Sequence, residues 1–262
     1  MEVAHSVFWV RMPLPFALDH INLWLLRDSA NGVSGWTVID CGVASIETKS
    51  RWEALFDGHL GGLPIRRILV THCHPDRLGL AQWLATGGDR KRWDARLWVS
   101  LGEYMSGRVV ANGMGSNADA HDAAQQFQLN GLSDSNLIEQ VRGRTNYYAK
   151  LVPDIPARYR RIQDDDVVSI GERQWQVVTG YGHSPEHCAL YRENSRLLIP
   201  GDMVLSRIST NVSVHDTEPE GNPLASYLDS LAQYESMAPD TMVLPSHGKT
   251  SRSAFGLRQQ DV

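Results

Sequence analysis

The sequence predicts a layered α/β protein. Two features carry that prediction. Strand-like and helix-like segments alternate through the first third of the chain, and four apolar strand-like runs each end in His or Asp. With 262 residues the chain is long enough to bury a substantial core as one domain spanning 1–262. Hydrophobic residues at 42% and charged residues at 21% exclude a disordered or fibrous class. A formal net charge of −5 argues against a nucleic-acid or membrane-surface partner. No run approaches the ~18 apolar residues of a membrane span.

The elements follow in order. "HINLWLLR" (His20–Arg27) and "GWTVID" (Gly35–Asp40) read as strands, with turn residues between them. "IETKSRWEALFDGHL" places Ile46, Trp52, Leu55 and Phe56 at helical spacing, and "RRILVT" (Arg66–Thr71) reads as a buried strand. From about 100 to 161 the texture turns helical, as in "LSDSNLIEQV" with Ser133 as an N-cap, and this stretch reads as a helical insertion. Strand texture returns in "RQWQVVTGYG", "HCALYR" and "RLLIPGD". Pro223–Met237 reads as a helix with Pro in its first turn, followed by the apolar run "TMVLPSHG".

The chemistry sits where strands stop. "VTHCHPD" supplies His72, His74 and Asp76; "GHSPEH" supplies His183 and His187; "PGD" supplies Asp202; "PSHG" supplies His247. A lone His at a strand end is usually structural, but four strands delivering His or Asp are hard to explain that way. Imidazole and carboxylate donors together suit zinc, and also iron or manganese. His72 and His74 alternate in an extended segment, so both can point the same way. The residue after Asp76 is Arg77, a permanent cation that has no lone pair to donate.

These motifs, "THCHPDRLG", "GHSPEH", "PGD" and "PSHG" in this order over about His20 to Gly248, resemble those of the metallo-β-lactamase-fold hydrolases, the glyoxalase II-like branch more than the lactamases. The resemblance implies a four-layer αββα sandwich with the site at one edge of the two sheets. It implies a first metal on His72, His74 and His183, and a second on Asp76 and His247, with Asp202 bridging. One or two zinc ions would then activate a water to attack a small ester or thioester, with Asp76 and Asp202 as catalytic carboxylates. Most relatives carry a ligating His where Arg77 stands, so the second site is expected to be weak, with Arg77 supplying part of that ion's charge. Asp40 and His187 read as residues that support the ligands from behind. The Asp at 202, where lactamases with Arg in the motif carry Cys, argues against lactamase activity.

Two other functions fit the same motifs. One is a mononuclear iron oxygenase resembling the persulfide dioxygenases, on His72, His183 and Asp202. The other is a non-catalytic metal-binding or RNA-processing relative. The glutathione-binding helical domain of glyoxalase II enzymes has no counterpart after His247, so substrate recognition is expected from the insertion, with Tyr147 and Tyr148 gripping the substrate. Cys73 and the histidines without motif context, His215 among them, read as structural or surface residues. Three scattered cysteines and an N-terminus lacking a basic region before an apolar run point to a reducing, cytoplasmic setting. The sequence leaves the oligomeric state open.

Overall fold

The structure is a computed structural model that describes residues 1–30, 32–114, 120–144 and 146–250. Two sheets face one another. The first has seven strands in sequence order: β1 (Glu2–Ala4), β2 (Val7–Pro13), β3 (His20–Ala30), β4 (Val33–Ile39), β5 (Ile65–Leu69), β6 (Arg96–Val99) and β7 (Tyr159–Arg161). The second has five, in the order β12 (Met242–Val243), β11 (Leu197–Ile199), β10 (His187–Arg192), β9 (Arg173–Gly180) and β8 (Val167–Ile170). β1 to β4 pair antiparallel, whereas β4, β5, β6 and β7 run parallel.

Helices fill the connections. α1 (Ile46–Gly58) follows β4; α2 (Pro75–Leu78) and α3 (Ala81–Ala85) follow β5. Between β6 and β7 lie α4 (Leu101–Ala111), α5 (Ala120–Leu129), α6 (Ser135–Arg142) and α7 (Tyr147–Leu151), and α8 (Pro223–Ala232) precedes β12. Three buried clusters correspond to the three interfaces of a four-layer αββα sandwich. One packs the first sheet against α1, α3 and α4 through residues such as Val38, Trp52, Leu84 and Tyr104. The middle one lies between the sheets, with Trp24, Ile39, Trp175 and Leu190. The third covers the second sheet with Tyr234 and Met237.

Local chemistry explains the helices that steady the site. Ser45 caps α1 by accepting from the Thr48 N–H, and Trp52 and Phe56 face inward. Trp52 Nε1 then donates to the Cys41 carbonyl at 3.0 Å, which anchors the turn after β4. α2 begins on Pro75, a first helical position where the missing N–H costs nothing. Gly79 ends it: a Cβ there would lie 2.5–2.8 Å from the carbonyls of Pro75, Gly42 and Leu151. Only glycine lets α2 sit this close to the turn after β4 and to α7.

The differences from the sequence reading are local. The helical stretch after 100 is the β6–β7 connection, and its last residues are the edge strand β7 rather than helix. The short strands β1, β2, β6 and β8 were not legible as separate elements. α8 stops at Ala232, and a single 3₁₀ turn takes the chain to Ser236.

Candidate metal centre

Every chemistry-bearing loop leaves its strand at one pole of the sandwich. β4 delivers Asp40, β5 delivers Thr71 to Arg77, β9 delivers His183, β11 delivers Asp202 and β12 delivers His247. β4 and β5 are parallel, as are β11 and β12, and β9 shares the direction of β11 because both pair antiparallel with β10. Their carboxyl ends therefore open on one crevice, the usual position of a site in layered α/β proteins.

His72, His74, His183 and Asp202 each aim one donor atom into the same space, all within 4.8 Å of one another. His72 Nε2 lies 3.0 Å from His74 Nδ1 and 3.2 Å from His183 Nε2. Asp202 Oδ2 lies 3.6 Å from His72 Nε2 and 3.5 Å from His183 Nε2. Tetrahedral bonds of ~2.0–2.1 Å would hold nitrogen ligands roughly 3.3 Å apart, so the spacing fits one ion. The ring protons point elsewhere. His183 Nδ1–H donates to the Asn211 carbonyl at 2.7 Å, and His72 Nδ1 meets Thr71 Oγ1 at 3.0 Å. Burial holds His72 well below the usual imidazole range, and burial with the neighbouring His183 charge takes His74 down to about 3. His72 and His74 are thus held neutral, as a divalent cation requires of its ligands, whereas for His183 burial is outweighed by the Asp202 hydrogen bond and charge, which raise it, so that ring must release a proton when an ion binds.

Beside this space the arrangement reverses. Arg77 is fully buried and its guanidinium covers the other donors. Nη1 donates to Asp76 Oδ2 at 2.7 Å, and Nη2 donates to Asp202 Oδ1 and lies 3.1 Å from His247 Nε2. Nε points toward Asp40 Oδ2 at 3.7 Å. His247 turns Nδ1–H to the His20 carbonyl at 3.1 Å, so Nε2 can accept from Arg77. Burial alone would raise Asp202, but the Arg77 charge and the His183 hydrogen bond hold its carboxyl well below the usual carboxylate range. The expected second ligand set of Asp76, Asp202 and His247 is thus gathered around a guanidinium, and Asp76 and His247 stand apart from the four-donor cluster. A cation that cannot ligate fills the space where their lone pairs meet.

A second layer holds these side chains. Asp40 sits in the left-handed region at φ 63°, an uncommon backbone for a non-glycine residue that Asp tolerates better than most. Its carboxylate accepts from the Thr71 N–H at 2.8 Å and from Thr71 Oγ1 at 2.9 Å, and burial raises its pKa to about 7. Asp40 therefore steers His72 through Thr71. His187 stacks on His72, ring centroids 4.9 Å apart, and its Nε2 accepts from the Asp202 N–H at 3.2 Å. Gly201 permits this approach, since a Cβ there would lie 2.3 Å from His187 Nε2.

Glu103 was missed by the sequence reading. It is fully buried and accepts from the Cys73 N–H at 2.7 Å, Ser184 Oγ at 2.6 Å and the Glu186 N–H at 2.7 Å. It ties the His72–His74 loop to the His183 loop. The sequence does hold a signal: Ser100-x-x-Glu103 matches a capping box. Ser100 caps α4 as that motif requires, but the Glu carboxylate turns to the two loops.

The tyrosine pair divides. Tyr148 is buried, and its hydroxyl donates to the Cys73 carbonyl at 2.5 Å. The expectation that it grips substrate is corrected, because its one polar atom is spent under the histidine loop. Tyr147 is 40% exposed and lies against Phe16, ring centroids 6.4 Å apart. Cys73 is buried in the core, as a packing role requires. Next to His183 a cleft of about 350 Å³ is walled by Tyr181, Pro185, Val214, His215 and Asn222. These wall residues come from the β9–β10 loop and the segment leading into α8, outside the insertion expected to recognise substrate.

Comparison with known proteins agrees with this architecture. The profile of the Metallo-beta-lactamase superfamily matches residues 17–247. A probable metallo-hydrolase, YqjP, of Bacillus subtilis (strain 168) is 23% identical over 262 residues, covering 96% of this chain and 74% of its own. The acyl-coenzyme A thioesterase MBLAC2 of Bos taurus is 24% identical over 217 residues, 78% of this chain and 65% of its own. The crystal structure of a beta-lactamase domain protein from Burkholderia ambifaria superposes with a TM-score of 0.90 at 58% identity, covering 97% of this chain and 70% of that one.

Proposed function

The chain belongs to the metallo-β-lactamase superfamily, and we propose that it is a metal-dependent hydrolase of a small ester or thioester that works with a single divalent ion. The observation that carries this reading is the Arg77 guanidinium lodged among Asp76, Asp202 and His247. Charge supports it. Asp76 and Asp202 bring two carboxylates to a largely buried site, with Asp40 raised to about 7 beside them, and one guanidinium with one divalent cation already meets that negative charge. A second divalent ion would leave an excess of positive charge in a low-dielectric space.

His72, His74 and His183 would hold the ion, with Asp202 Oδ2 as fourth donor. A divalent ion held there would supply a water of lowered pKa, from 15.7 to roughly 7, and a Lewis acid for a carbonyl oxygen. Asp202 spans the two halves of the site, one oxygen toward the histidines and the other fixed by Arg77. Arg77 thereby orients Asp202 and, through its Nη1, Asp76. Among the described residues Asp76 Oδ1 has no hydrogen-bond partner; from there it can take the proton of the attacking water and return it to the leaving alkoxide or thiolate. His247 steadies the guanidinium from the far side. The cleft beside His183, at about 350 Å³, is near the small end of ligand pockets and suits a short acyl group. The thioesterase among the relatives points to thioesters within that class, in keeping with a glyoxalase II-like branch.

The test is a panel of acyl thioesters and carboxylic esters, with a phosphodiester as control. Thioester turnover should scale with metal content up to one ion per chain, and His183→Ala should lose both. Absence of ester or thioester turnover in metal-saturated protein would reject the substrate class. The single-ion site also favours a second reading, a mononuclear iron oxygenase. Oxygen uptake by anaerobically purified, iron-loaded protein without any hydrolysis would select it.

A further inference from the structure

The opposite pole of the sandwich carries a different concentration of charge. Arg173 opens β9 and Arg192 closes β10, so both lie at the strand ends away from His183 and His187. At about 3.3 Å per residue that separation is on the order of 20 Å. A recess of about 620 Å³ lies there, between the β3–β4 hairpin of one sheet and the β8–β9 hairpin of the other. Arg27, Arg173, Arg192 and His5 line it, with Asp28 and Glu172 as the carboxylates.

The charges do not balance. Asp28 is already satisfied: it accepts from Thr37 Oγ1 at 2.6 Å, Arg67 Nε at 2.8 Å and the Gly171 N–H at 2.8 Å. Arg27 is fixed over the Trp36 ring, 3.9 Å from its centroid. Among the described residues, no carboxylate lies within 4.0 Å of a nitrogen of Arg173 or Arg192, and Glu172 pairs with none of the three arginines. Burial and the facing Arg173 charge push Arg192 below the usual guanidinium range. Two guanidinia that repel one another across a concave surface cost stability and gain no ion pair among the described residues. Guanidinium forks, hydroxyls and a concave wall are the groups that bind a phosphoryl oxygen set.

We propose that this recess binds a phosphate dianion, carried as the monoester of a small molecule, at a site separate from the metal centre. The recess is larger than a phosphoryl group alone needs, and Ser6, Ser29 and Ser34 on its wall can take the hydroxyls of the esterified part. Arg173 and Arg192 would clamp the phosphoryl oxygens, and Arg27 would close the third side.

Calorimetric titration of the metal-loaded full chain tests this, with inorganic phosphate and glycerol 3-phosphate as probes at constant ionic strength. Both should bind saturably to wild type, the ester more tightly. An Arg173→Gln/Arg192→Gln variant with unchanged metal content should bind each at least about tenfold more weakly, having lost two charge-assisted donors. In anion-free, low-salt buffer that variant should melt at or above wild type, because a repulsion is gone, and the probes should raise the melting temperature of wild type alone. Equal affinity in variant and wild type would assign binding to the metal centre and overturn the proposal. So would the lack of saturable binding in wild type, or a variant that melts lower without anion.

Discussion

Two neighbouring spaces share Asp202 and are built in opposite ways. On its Oδ2 side, three imidazoles converge, His72 and His74 held neutral by burial and His183 raised by Asp202, and among the described residues no side-chain cation meets them. On its Oδ1 side, the donors Asp76, Asp202 and His247 meet a guanidinium that belongs to the chain. The first space needs a cation from solution; the second carries its own. A single side chain one position after the motif Asp makes the difference. It converts a set of second-ion ligands into an ion-pair network whose cation is part of the chain and does not lose its proton near neutral pH.

The largest effect that would sharpen this contrast comes from removing the internal cation. Arg77→Met keeps an apolar stem in the core and leaves Asp40, Asp76 and Asp202 without their counter-charge. Chelator-treated variant should lose about 3–5 kcal/mol of unfolding free energy, as for a buried pair that has lost one partner. Excess zinc should restore part of this, since the uncovered carboxylates and His247 become ligands. Denaturant titration with and without zinc measures both; an unchanged midpoint would mean that the network carries no energetic weight.

The next effect is in the pH dependence of the first space. His72, His74 and His187 are all depressed, chiefly by burial, whereas Asp40 is raised to about 7. Between pH 4 and 6 the unfolded chain binds three more protons on these histidines, and the native chain binds one more on Asp40. Metal-free protein should therefore lose stability as pH falls through that window, by roughly 2–3 kcal/mol per unit. A flat profile between pH 6 and 4 would show that these rings are not held neutral.

A smaller effect separates the tyrosines. Tyr148→Phe strands the buried Cys73 carbonyl and should cost about 1–2 kcal/mol with little change in KM, while Tyr147→Phe should leave stability unchanged. A raised KM in Tyr148→Phe at wild-type stability would return Tyr148 to the substrate.

The pattern of what was legible follows from how local each signal is. Strand ends carrying His72, His74, His183, Asp202 and His247 are short-range features, and an apolar run followed by a metal-type residue is readable without the fold. The αββα layering came from the order of the motifs and from their resemblance to a known family. Where Arg77 points could not be read. The outcome depends on β5, β11 and β12 delivering Asp76, Asp202 and His247 to one spot, which is tertiary information. Glu103 was hidden for the opposite reason: its local signal was strong but pointed to a capping box, and burial between two loops redirected the carboxylate. Tyr147 and Tyr148 are adjacent on one short helix and face opposite environments, a distinction that composition cannot make.

The most direct measurement is metal stoichiometry at several free zinc concentrations, for wild type and Arg77→His. The variant recreates the imidazole that most relatives carry and takes the guanidinium away from Asp76, Asp202 and His247. Elemental analysis after equilibrium dialysis should give one ion per chain for wild type across the range, and should rise toward two for the variant. Two ions of equal affinity in wild type, with no change in Arg77→His, would contradict the single-ion centre.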